Sequence, residues 1–263
     1  MKQIVLFSSV LVVMLTTLVT GCSESSVTKC VNTLLGKEEL VDEIVPNYNI
    51  VLIADGTDLK HNQYATPEIT VEYVLQFAEK IQQRGKGRLW LGYVDNSSEN
   101  NKIAYLEIFH APHPVKMAEK MRSETKVEYD RRLRTETERF VKDSIEFEKN
   151  KSQRLSIFLK EAQEILQMAY SDKVATAIVG SDVNGAINAS NRILKTMYND
   201  SATKNFIALI SDGVDNIKHS LNKVPDNIKV LLVNNSGSKN HLGIEIVELD
   251  NLSRMEEYIF SNK

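Results

Sequence analysis

Apolar residues recur along this chain in distinct rhythms. Asn49–Ala54 (NIVLIA), Asn205–Ile210 (NFIALI) and Ile228–Val233 are near-continuous apolar runs, the pattern of strands buried on both faces. Arg88–Val94, Lys102–Phe109 and Ile244–Leu249 read as further strands, and Ala175–Val179 is a short apolar segment before Gly180-Ser181-Asp182. The link DNSSENN between Arg88–Val94 and Lys102–Phe109 is turn-rich and predicts a hairpin. Helical spacing takes over at Val71–Ile81, where positions 71, 74, 75, 77, 78 and 81 are apolar and Arg84-Gly85 closes the element. Ala186–Met197 and Leu252–Phe260 are also helical. Strands alternating with helices predict an α/β fold: a doubly wound, mainly parallel sheet flanked by helices.

One stretch departs from that alternation. From Val115 to Tyr170 there is no Gly or Pro, and the pattern predicts helix throughout. Over its first two-thirds, basic and acidic residues interleave in similar numbers, as on a solvated helix surface. Leu133, Phe140 and Phe147 fall seven apart with Val141 and Ile145 beside them, a narrow stripe suited to one partner surface. Leu155, Phe158, Leu159, Ala162, Leu166 and Ala169 make a wider stripe, typical of a helix lying on a sheet. Residues of about 115–170 thus read as a long charged helical insertion.

The N-terminus carries Lys2, the apolar run 4–19, and then Thr20-Gly21-Cys22. That run is shorter than the roughly 20 residues a spanning helix needs, and it fits an export signal. Leu18-Val19-Thr20-Gly21-Cys22 resembles the lipobox of bacterial lipoproteins. The resemblance implies cleavage before Cys22, acylation of that residue, and attachment to a membrane of the cell envelope. Ser23 resembles the next residue of lipoproteins sent to the outer membrane, facing the periplasm, in Gram-negative cells. The expected layout is a signal peptide over 1–21, a polar tether over 22–47 with a short helix around Val27–Leu35, and a domain over 48–263. Cys30 reads as a free thiol in the tether.

Composition narrows the function by exclusion. With 42% hydrophobic and 25% charged residues the chain has material for a core, which excludes overall disorder. A net charge of −3 and a pI near 6.0 disfavour simple electrostatic binding of nucleic acid. Two cysteines make neither a disulfide scaffold nor a thiolate zinc site. His110-Ala-Pro-His113 has no evident third ligand and reads as a turn, and Trp90 reads as core. There is no Gly-x-Ser-x-Gly elbow, phosphate loop or Gly-x-Gly-x-x-Gly after a strand.

In a sheet of this kind ligands bind beyond the carboxyl ends of the strands. Two strands end in Asp-Gly there, at Asp55-Gly56 and Asp212-Gly213, and the loop Gly180-Ser181-Asp182-Val183-Asn184-Gly185 leads into a helix. Carboxylates and hydroxyls at one edge are hard ligands of the kind Mg²⁺, Mn²⁺ and Ca²⁺ prefer. Asp55-Gly56-Thr57-Asp58-Leu59, the Ser181 loop and Ile210-Ser211-Asp212-Gly213, in that order, resemble the von Willebrand factor A (vWA) family. In that family Asp-x-Ser-x-Ser, a Thr and a final Asp-Gly form a metal-ion-dependent adhesion site. The resemblance covers about 48–263 apart from the helical insertion. It implies a binding module that captures a protein partner through Mg²⁺ or Mn²⁺, with Asp55, Thr57, Ser181 and Asp212 as metal ligands. Leu59 departs from the pattern, standing where the second Ser belongs.

Two other readings follow from the same residues. In one, the metal site is vestigial and the protein is a structural or assembly lipoprotein making its contacts through the charged helix. In the other, Asp55-Gly56-Thr57 and Ser211-Asp212-Gly213 faintly resemble haloacid-dehalogenase-type phosphatases, whose first motif is Asp-x-Asp-Gly-Thr. There the leading Asp is the nucleophile. Here Ile53 occupies that place, and the expectation is that the protein is not an enzyme.

Overall fold

The computed structural model describes residues 45–56, 66–110, 123–171, 180–197, 200–215, 217, 219–234 and 242–261. The signal peptide, Cys22, Cys30, the short helix around 27–35, Thr57, Asp58, Leu59, His113 and the segment 175–179 lie outside them. The described residues belong to one compact unit, Val45–Lys263. None of their helices is long and apolar enough to cross a membrane.

Six strands form one sheet: β1 (Asn47–Ala54), β2 (Lys86–Tyr93), β3 (Ala104–Ile108), β4 (Thr203–Ile210), β5 (Ile228–Val233) and β6 (Val247–Leu249). Their order is β3-β2-β1-β4-β5-β6, and all neighbours are parallel except β2 and β3. The expected hairpin is therefore present, turned by the short 3₁₀ segment Ser98–Asn100. The helices are α1 (Val71–Arg84), α2 (Lys126–Ala169), α3 (Val183–Lys195) and α4 (Leu252–Phe260).

Alternation along β1 explains how both faces are covered. Tyr48, Ile50, Leu52 and Ala54 point to one face, where α1, α2 and α4 bring Phe77, Ile81, Phe158, Ile165, Met255 and Ile259. Val51 and Ile53 point to the other, where α3 packs Val183, Ala186, Ile187 and Leu194. Trp90 joins that second cluster and lies 5.3 Å from the Tyr105 ring, so it is core as its sequence context suggested. Helices on both faces of a mostly parallel sheet make this an α/β fold.

Several boundaries differ from the sequence reading. The helix α2 starts at Lys126, and residues 123–125 are not helical. Thr125 is its N-cap: the Thr125 side chain accepts from the Glu128 amide, and the Glu128 carboxylate accepts from the Thr125 amide. This reciprocal capping box fixes where the helix begins. All of its buried residues lie in its last third, at Phe158, Ala162, Ile165, Leu166 and Ala169. At 1.5 Å per residue it runs about 65 Å, far beyond the sheet it covers. α3 begins at Val183 rather than Ala186 because Asp182 caps it. β6 is shorter than Ile244–Leu249 because only Val247, Glu248 and Leu249 pair with β5.

Candidate functional site

The parallel strands β2, β1 and β4 end level with one another, since Ala54 pairs with both Tyr93 and Ile210. The Asp55 amide donates to the Ile210 carbonyl at 3.0 Å, and the Val94 amide donates to the Ala54 carbonyl at 2.9 Å. Asp55 therefore leaves the sheet between β1 and β4. To one side of that line the order runs β1, β2, β3, and to the other β4, β5, β6. Chains depart in opposite directions there, the point at which sheets of this kind take ligands.

Asp55 is nearly buried, 3% exposed, and Ser211 is fully buried beside it. The Ser211 hydroxyl donates to Asp55 Oδ2 at 2.5 Å and accepts from the Gly213 amide at 2.9 Å. One small side chain thus fixes the first carboxylate and the turn that carries the second. Gly213 has a φ of +76°, and a Cβ there would lie 3.1 Å from Leu232, so the turn favours glycine. Asp212 is held by its own backbone: Oδ1 accepts from the Val214 amide at 2.9 Å, and its carbonyl accepts from the Asn234 side chain at 3.1 Å. Gly56 is pressed on the end of α2, where an added Cβ would meet the Ala169 carbonyl oxygen at 2.0 Å.

The third loop reaches the same edge. The Asp182 amide donates to the Asp95 carbonyl at 2.8 Å, just past β2, and the Val183 amide donates to Asp215 Oδ1 at 3.1 Å. Ser181 is buried there. The Asp182 carboxylate, fully buried, accepts from the Gly185 amide at 2.8 Å and pairs with His219 Nδ1 at 2.9 Å. Along α3, Asn184, Asn188 and Asn191 share one face and bind the segment 219–223. Their amides donate to the carbonyls of His219, Ser220 and Lys223, and Asn188 Oδ1 accepts from the Asn222 amide. This polar ladder holds the chain that follows Asp212 against α3.

Tyr170 closes the apolar side of the site. Its hydroxyl accepts from the Ile69 amide at 2.9 Å. Burial drives its pKa well above the usual tyrosine range, with the charges of Glu68 and Asp55 adding and the Ile69 bond opposing. The phenol stays neutral at physiological pH.

Of the four residues singled out as metal ligands, Asp55, Ser181 and Asp212 come to one edge, and Thr57 lies outside the described residues. The oxygens of Asp55, Ser181, Ser211 and Asp212 are the hard donors that suit Mg²⁺ or Mn²⁺. Among the described residues no group of three or more His, Cys, Asp or Glu is placed to hold a metal. A cation here would therefore rest on two carboxylates, hydroxyls and water. Ile53, at the place a phosphatase nucleophile would take, is buried in β1 and its side chain has no atom able to attack phosphorus. His110 is exposed beyond β3.

Sequence reasoning passed over Ser211, Asp182, Asp215, His219 and the three asparagines as site-building residues. Asp182 followed three residues later by Gly185 at a helix start was a readable cap, and the asparagine spacing of four and three was readable as one helix face. No family model, no curated protein and no solved structure matches the chain.

Proposed function

We propose that the chain is a membrane-anchored vWA-like binding module that captures a protein partner at the carboxyl edge of its sheet, through Mg²⁺ or Mn²⁺. The observation that carries this reading is the Ser211 bridge, which ties the Asp55 carboxylate to the turn carrying Asp212 where the strand order reverses between β1 and β4. A dinucleotide is a poor occupant of that edge. After β1 the chain reads Asp55-Gly56-Thr57 rather than a glycine-rich turn, and a buried carboxylate repels a pyrophosphate. A cation relieves the repulsion between two carboxylates on adjacent loops. Bound there, the ion would supply an electrophilic point for an acidic residue of the partner. Ser211 orients Asp55, the Asn234 contact sets Asp212, and the asparagine ladder on α3 keeps the following segment in place. On this reading the first two-thirds of α2 are an insertion into the vWA-like frame, and an acylated Cys22 holds the module at the cell envelope.

The experiment is affinity capture from envelope membranes using the full chain, with Mg²⁺ or with EDTA, beside Asp55→Ala and Asp212→Ala. A partner retained with Mg²⁺, released by EDTA and absent from both variants supports the reading. A partner retained equally in EDTA contradicts it.

A second reading is favoured by one observation. Residues 126–154 of α2 contain no buried side chain, and Val127, Val141 and Ile145 are 67%, 49% and 66% exposed. An assembly protein using this helix would keep its partner in EDTA and lose it when residues 126–150 are replaced.

A further inference from the structure

We infer that a cleft between α1, β3 and α2, away from the acidic edge, is a binding site for a small amphiphile: an aromatic ring or short alkyl chain bearing an acidic group. The cleft forms where α2 leaves the sheet. Before Phe158 the helix has no buried residue, and a cavity of about 190 Å³ lies between this stretch, the edge strand β3 and α1. Its walls are Leu75 and Ala78 of α1, Leu106 and Ile108 of β3, and Phe147 and Leu155 of α2. An apolar cavity of about 150 Å³ is already enough to take a benzene ring. The volume therefore suits one ring or a short chain and is too small for a folded partner's helix.

Charge at the rim selects the head group. Lys151 and Arg154 stand on the α2 side, and neither has a carboxylate partner among the described residues. The Arg154 guanidinium lies 4.5 Å from the centre of the Phe109 ring, which props it at the mouth. The acidic groups at the rim are Glu107, which Arg88 neutralises at 3.7 Å, and Glu79 on α1. Among the described residues the rim thus has two cations and one acid without an ion-pair partner, so the site prefers a carboxylate or phosphate head over an ammonium. Gln82 donates its amide to the Phe109 carbonyl at 3.3 Å, which ties α1 to the mouth.

The test is titration of the full-length Cys22→Ala chain in detergent-free buffer with octanoate, octanol and octylamine, followed by chemical shifts or calorimetry. Octanoate should bind with a Kd of about 1 mM or tighter, at least fivefold better than octanol, and octylamine more weakly than either. Lys151→Ala removes a rim charge and should weaken octanoate about fivefold, leaving octanol within about twofold. Glu79→Gln should tighten octanoate. Both substitutions are at the protein surface, and unchanged melting temperatures show that the fold is retained. Saturable binding that ignores the head group, or no binding of octanoate at 10 mM, overturns the assignment. Because Asp55→Ala leaves this cleft intact, failure here is distinguishable from failure of the metal edge.

Discussion

Ser211 connects the two halves of the candidate site, and its removal separates what holds them from what they bind. Ser211→Ala leaves a nearly buried Asp55 carboxylate without its hydroxyl donor and the Gly213 amide without its acceptor. The expected cost is about 2 kcal/mol in urea unfolding, in the range for buried groups that lose a hydrogen-bond partner. A change under 0.5 kcal/mol would show that water replaces the hydroxyl. Tyr170 gives a pH signature. Its folded pKa is raised, so its contribution is fully present below the unfolded value near 10 and is lost as pH rises above it. Tyr170→Phe should cost about 1 kcal/mol at pH 7, because the Ile69 amide loses its partner. The gap to the unaltered protein should narrow above pH 10, since only the unaltered chain carries this ionisation. A gap that stays constant to pH 11 would contradict the assignment. The Ser211 bridge depends on β1 and β4 lying in register, so the chain spelled out the Ser-Asp-Gly turn without revealing which carboxylate the serine would meet.

At the scale of elements, α2 divides at about Leu155. Its last third carries every buried residue, whereas the rest is held by its own capping box and by pairs such as Arg134 with Glu138 at 2.9 Å. Exposed pairs of this kind contribute little to the fold. Phe158→Ala should therefore destabilise the domain by about 4 kcal/mol. Replacing residues 126–150 with a short Gly/Ser linker should leave a single cooperative thermal transition. Loss of cooperativity on that replacement would place Leu133 and Phe140 in the main core. The apolar runs of β1, β4 and β5 were legible because both faces of each strand are covered. The break in helix at 123–125 was missed because charge and helix propensity run on through those residues, although Thr125-Lys126-Val127-Glu128 spells the cap. β6 is a short edge strand, and its flanking apolar residues Ile244 and Ile246 pack on the sheet without joining it.

For the whole molecule, strand alternation and the endings in Asp-Gly were enough to foresee an α/β sheet with carboxylates at one edge. The polar ladder from Asn184 to Asn191 was not, because it is satisfied by backbone some thirty residues away, which no local pattern encodes. The proposed function has an acylated Cys22 hold the domain at a membrane. Cys22→Ala should move the protein from the membrane fraction to the soluble fraction on fractionation, and retention in the membrane would show that residues 4–19 anchor it instead.

The edge itself is tested most directly by metal-dependent thermal shift of the Cys22→Ala chain with Mg²⁺ and Mn²⁺. The account predicts saturable stabilisation in the millimolar range, the weak end of oxygen-ligand sites, consistent with few protein ligands and with Leu59. Asp55→Ala and Asp212→Ala should each abolish the response. No response at 10 mM in the parent chain, or an equal response in both variants, would contradict the claim that these two carboxylates share a cation.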